Sequence, residues 1–178
     1  MSEKTQLILM AEYNKIMNKR MIESSRNLSN VSLSENKGAF FKSVIGTLNH
    51  IMIGDILWLK RFLSYSNAYA SLEPINKIKK PDKLDSIIHD DLDLFQEKRS
   101  ILDDMIIEWC TEIKENDLNG TLKYMNYKGE THNKRLGNLV LHLFLHQVHH
   151  RGQITTLLSQ EGIDFGETDL PEFVADEK

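Results

Sequence analysis

Four of the chain's seven histidines fall within nine residues, in the run LHLFLHQVHHRGQ: His142, His146, His149 and His150. The others are His50, His89 and His132. On a helical wheel with His142 at zero, His146 falls near 40°, His150 near 80° and His149 near -20°, at about 100° per residue. The apolar Leu136, Leu139, Leu143, Ile154 and Leu157 cover about 60–120° of the same wheel. His146 and His150 therefore point closest to the buried side, and His142 and His149 lie on its border. Their i,i+4 spacing stacks two imidazoles one turn apart, where one divalent ion can bridge them. A third ligand has to come from another helix. His50 is the candidate, mid-way along a very apolar stretch with Gly46 and Gly54 one turn to either side. Small residues there leave room for open coordination positions or a substrate. The competing reading is a set of hydrogen-bonded core histidines. Burying imidazoles without a metal leaves ring nitrogens needing partners, at about 1–3 kcal/mol for each unsatisfied group.

Four helical stretches are expected to position these groups. The first spans residues 3–25, with Leu7, Ile8, Ala11, Ile16 and Met17 on a loose apolar face and Lys15, Lys19 and Arg20 on another. The polar run 27–38 reads as a connection. The second helix covers 39–65 and is apolar on more than one side, from Phe40 and Phe41 to Leu59 and Phe62. Such a helix is buried on most faces, and part of that surface is expected to belong to a second subunit. Residues 66–80, with Pro74 and a basic KIKK end at 77–80, form a long crossover loop whose lysines are solvated. Asp82 is read as the N-cap of the third helix, with Asp85 in its first turn. That helix ends near 116–120. Residues 121–131 alternate in polarity around Lys128-Gly129 and read as a short hairpin or irregular loop. The last helix covers 132–160, with Glu161-Gly162 as its stop. An acidic tail from about 163 to 178 is expected to pack through Phe165, Leu170 and Phe173. The fold class is all-α, a four-helix bundle within a single domain over 1–178.

Composition narrows the function. The net charge of -4 and the lack of a basic block argue against nucleic-acid binding. No run of about 20 apolar residues reads as a membrane span, and the start of the chain does not read as a signal peptide. The expected location is the cytoplasm. One cysteine, Cys110, excludes an internal disulfide and a thiolate zinc cluster, and it is read as a buried, inert thiol. Trp58 and Trp109 are read as core or interface aromatics.

The runs LFLHQVHHRGQITTLLSQEGIDFGETDL and GTLNHIMIGDILWLKRF resemble the DinB/YfiT-like superfamily over nearly the whole chain. The resemblance implies a four-helix bundle, a homodimer, and a divalent ion, zinc or nickel, held by His50, His146 and His150. It also implies a possible activity, metal-dependent S-transfer using a low-molecular-weight thiol on a small-molecule electrophile. Three neutral histidines leave zinc an open position, as in catalytic rather than structural sites. Such an ion can favour thiolate at neutral pH or activate water for hydrolysis. A carboxylate base within reach would support hydrolysis, but Asp55 lies about 140° from His50 on the wheel, so it is read as a supporting or structural group rather than a base at the metal. A non-catalytic, stress-related metal-binding or structural protein is the rival class. His149 is a candidate proton shuttle, Gln153 a candidate cap for a ligand's polar group, and Arg151 points away from the histidine pair.

Overall fold

The computed structural model describes residues 1–66 and 68–176. It is mostly helical, with one small two-stranded sheet. Helix α1 covers Glu3–Ser25, where Ser2 caps the first turn by accepting from the Thr5 amide. A short helix, α2 (Asn30–Ser34), interrupts the polar connection. Helix α3 covers Val44–Leu63, α4 covers Leu92–Glu112, and a one-turn α5 covers Glu115–Leu118. Strands β1 (Thr121–Met125) and β2 (Thr131–Arg135) pair antiparallel, and α6 runs over Leu136–Gln160. The long helices form a bundle in which α1 packs on α4 and α6, and α3 packs on α6 and, less extensively, on α4.

Several boundaries differ from the sequence expectation. The second long helix starts at residue 44, not 39. Gly38 and Lys42 both take left-handed backbone conformations (φ 77° and 68°), and Ser43 caps the helix by accepting from the Gly46 amide at 3.0 Å. Residues 38–43 are therefore a tight turn, closed by Lys37 N–H to Lys42 O at 2.7 Å. Phe40, expected inside, stands 85% exposed on that turn. The third long helix begins at Leu92 with Asp91 as its cap, nine residues after the cap read at Asp82. Residues 82–91 instead run as an irregular strap across α3, because Asn49 takes the backbone groups a helix would need. The helix then ends at Glu112, before the expected 116–120. The hairpin continues to Arg135, so His132 lies on β2 and not on the last helix. The crossover contains a 3-10 turn, Ala70–Lys77.

The core is continuous between the long helices and is built on α3, whose residues from Val44 to Ile56 are all buried by this one chain. The apolar all-round character of α3 is thus satisfied without a second subunit. Trp109 is fully buried and stacks on Phe62, with ring centroids 4.6 Å apart. Cys110 is also fully buried, as expected, and burial pushes its thiol up to about 12, away from the thiolate form. The tail returns to α1: Tyr13 donates to Thr168 O at 2.5 Å, and Phe173 meets Tyr13 edge-on.

Candidate metal centre

A polar layer crosses the bundle interior beneath the histidines. Asp55 on α3 pairs with Arg99 on α4, and Arg99 lies 3.0 Å from Asp103. Gln147 on α6 donates to Asp55 Oδ2 at 3.1 Å and accepts from Asn18 on α1 at 2.9 Å. Arg151 donates to Asn14 at 2.5 Å and lies over the Tyr13 ring. All these groups but Tyr13 are buried, and each charge has an opposite or hydrogen-bonding neighbour, as a dry interior demands. Burial pushes Asp55 up to about 6, and Arg99 opposes that push. Asp55 is thus a brace between helices, in keeping with its wheel position. Sequence reading did not find this layer. Its signal was present as polar residues on otherwise apolar helix faces, such as Arg99 between Phe95 and Leu102 and Asn18 between Met17 and Met21.

The turn N-terminal to α3, the strap and the middle of α6 meet at three imidazoles. His50, His146 and His150 each offer one ring nitrogen, and these nitrogens lie within 4.8 Å of one another. His50 Nε2 faces His146 Nε2 at 3.0 Å. The outer nitrogens of two rings are tied. His50 Nδ1 donates to Leu84 O on the strap at 2.9 Å, and His150 Nδ1 pairs with Gln153 Oε1 at 2.8 Å. A carbonyl oxygen only accepts, so these bonds put the proton on Nδ1 and leave the Nε2 lone pairs directed at the centre. The Gln153 expected as a ligand cap therefore orients His150 instead. Asn49 fixes the strap that carries Leu84, accepting from the Ile88 and His89 amides at 2.8 and 3.0 Å and donating to His89 O at 2.8 Å.

The third ring is held by shape. His146 Nδ1 is buried and has no hydrogen-bond partner among the described residues. Its ring rests on Gly54 of α3, where an added Cβ would stand 2.7 Å from Cε1. Gly54 therefore makes room for the His146 ring. Gly46 makes room for the Phe41 carbonyl, which an added Cβ would meet at 2.1 Å. Phe41 covers one side of the group, stacked on His50 with centroids 3.6 Å apart and edge-on to His150.

Burial lowers all three imidazoles: His50 to about 4, His146 to about 3, and His150 below its ordinary value. All three are neutral at pH 7, the form that ligates a metal. The donor set, the two tied Nδ1 groups and the Gly54 cradle fit a divalent ion of the zinc or nickel type, which imidazole suits. His142 and His149 are exposed at the border, as the wheel places them. His142 meets Trp58 edge-on at 5.2 Å, and His149 Nε2 lies 3.3 Å from Gln153 Nε2. No carboxylate is hydrogen-bonded to the three rings among the described residues.

These features define a class: an all-helical bundle with a buried histidine triad, open to holding a metal ion. The chain belongs to the DinB family, whose model matches residues 1–177. No curated protein and no solved structure matches it. No helix among the described residues is long and apolar enough to cross a membrane.

Proposed function

We propose that His50, His146 and His150 hold one divalent ion, zinc or nickel, and that the chain uses it to transfer a low-molecular-weight thiol onto a small electrophile. The convergence of three neutral imidazole nitrogens within 4.8 Å carries the metal assignment. When bound, the ion supplies Lewis acidity that stabilises a thiolate at neutral pH. The residues of the chain supply the rest. Leu84 and Gln153 hold two rings in the ligating tautomer. Phe41 keeps water from one side of the site. Asp55 stays bound to Arg99 and Gln147, away from the rings. Among the described residues no carboxylate is hydrogen-bonded to the histidines, so S-transfer, which needs no general base once the thiolate is formed, is favoured over base-assisted hydrolysis.

The whole chain is read as a single domain acting in the cytoplasm as a homodimer. With α3 covered, the surface that supports a dimer is on α6, where Leu141, Leu145 and Val148 lie on one face and are 46%, 54% and 41% exposed. The experiment is thiol conjugation to a panel of small electrophiles by the purified, zinc-loaded or nickel-loaded chain. Turnover that stops on chelation and returns with the ion supports the enzyme. Loss of thermal stability on chelation, with no turnover, assigns the ion a structural role instead.

A further inference from the structure

A cavity of about 630 Å³ lies between α3, α4 and the segment 74–89. That volume is in the range of sites that enclose small organic ligands. Its floor is apolar, formed by Met52, Ile56, Ile78, Leu102 and Met105. On the α3 wheel Met52 and Ile56 lie about 160° and 120° from His50, and the histidine triad does not line the cavity. Ile87 and Ile101, on its wall, remain 50% and 47% exposed. Apolar surface therefore continues from floor to mouth without a cover from this chain.

The polar part of the lining is mainly cationic. Lys79, Lys80 and Lys98 contribute to it, against one carboxylate, Asp82. Lys79 lies 3.7 Å from Asp82, with both side chains well exposed, and Lys98 donates to Glu97 at 2.7 Å. Lys80 forms no ion pair among the described residues. His89 completes this side. Burial, and then the charge of Lys98, hold its imidazole below the ordinary value, so it is neutral at pH 7 and available as a hydrogen-bond donor.

We propose that this cavity binds a medium-chain fatty carboxylate, with the alkyl chain over Met52, Ile56, Leu102 and Met105 and the carboxylate at Lys80. The apolar floor would strand the hydroxyls of a sugar or nucleotide without partners, whereas an alkyl chain has none to lose. A lysine ammonium at the mouth keeps its own hydration and still attracts an anion.

The test is calorimetric titration of the full chain with octanoate, decanoate and dodecanoate below their micellar concentrations. One saturable site is expected, tightening up to about fourfold per added methylene as each is taken from water. Decanol should bind more weakly than decanoate, and the Lys79→Ala/Lys80→Ala double variant should remove that difference. Ile101→Glu, at a half-exposed position on the wall, should abolish binding while leaving metal content unchanged. If Ile101→Glu fails to fold, the lysine double variant decides. Absence of saturable binding, affinity independent of chain length, or decanol binding as tightly as decanoate would each overturn the proposal.

Discussion

Gly54→Ala separates the metal site from the fold. An added Cβ would stand 2.7 Å from His146 Cε1 and 3.2 Å from Nδ1, whereas ordinary contact begins at 3.4 Å. The gap is 3.4 - 2.7, so the ring must retreat by about 0.7 Å. Metal–ligand distances tolerate about 0.2 Å, so a displacement of this size spoils one of three ligands. The contacted atoms sit at the far end of a side chain, so His146 can move without the backbone. Losing the orientation of one ligand costs about tenfold to a hundredfold in metal affinity. The same change removes a glycine from a helix interior, which is worth about 0.5–1 kcal/mol in stability. For a domain of this size that gain raises the melting temperature by about 2–4 °C for each kcal/mol. The expected result is thus a metal-free protein melting at or slightly above the wild-type temperature, with zinc affinity lowered at least tenfold in competition with a chromophoric chelator. Unchanged zinc affinity would refute the argument. So would a metal-free variant that melts several degrees lower, because the clash would then lie in the fold rather than in the ring.

Three further outcomes follow from the same geometry. Asn49→Ala removes the side chain that pins Ile88 and His89, leaving half-buried backbone groups without that partner; a stability loss of about 1–3 kcal/mol and weaker metal binding are expected by urea denaturation and zinc competition, and an unchanged midpoint would contradict this. Burial holds His50 near 4 and His146 near 3, so between those values and the ordinary 6.5 the unfolded chain binds more protons than the folded one. Stability of the chelated protein is then full above about pH 6.5 and falls as the pH drops toward 4, by on the order of 1 kcal/mol per pH unit for each histidine at most. Equal urea midpoints at pH 7.5 and pH 5 would oppose it. Light scattering should show a dimer at micromolar concentration and a monomer for Leu145→Glu, and a wild-type monomer would remove the dimer.

The extent to which the site was legible follows from how local each constraint is. The i,i+4 pair on α6 and the depth of His50 on α3 are properties of single helices, so a wheel orders them and the three rings are found together in the structure. The supports of those rings are non-local. Leu84 reaches His50 from a strap 34 residues away, and the strap exists because Asn49 captures its amides. Read alone, residues 82–91 offer acidic caps and apolar spacing, and a helix is the reasonable expectation. The turn before α3 could have been found from Gly38 and Ser43, a left-handed residue followed by a good cap. The DinB resemblance gave the bundle correctly, and the family match covers residues 1–177. It left the polar layer around Arg99 and Gln147 unseen, because pairing between helices sets which buried polar residues find partners.

The central claim is that His50, His146 and His150 hold one divalent ion, and elemental analysis of the untagged protein tests it most directly. Metal is counted per chain in the wild type and in His50→Ala, His146→Ala, His150→Ala and His142→Ala. The account predicts close to one zinc or nickel ion per chain in the wild type and in His142→Ala, and little in the other three. Little metal in the wild type, with none gained on adding zinc or nickel, or equal metal in all four variants, would contradict it.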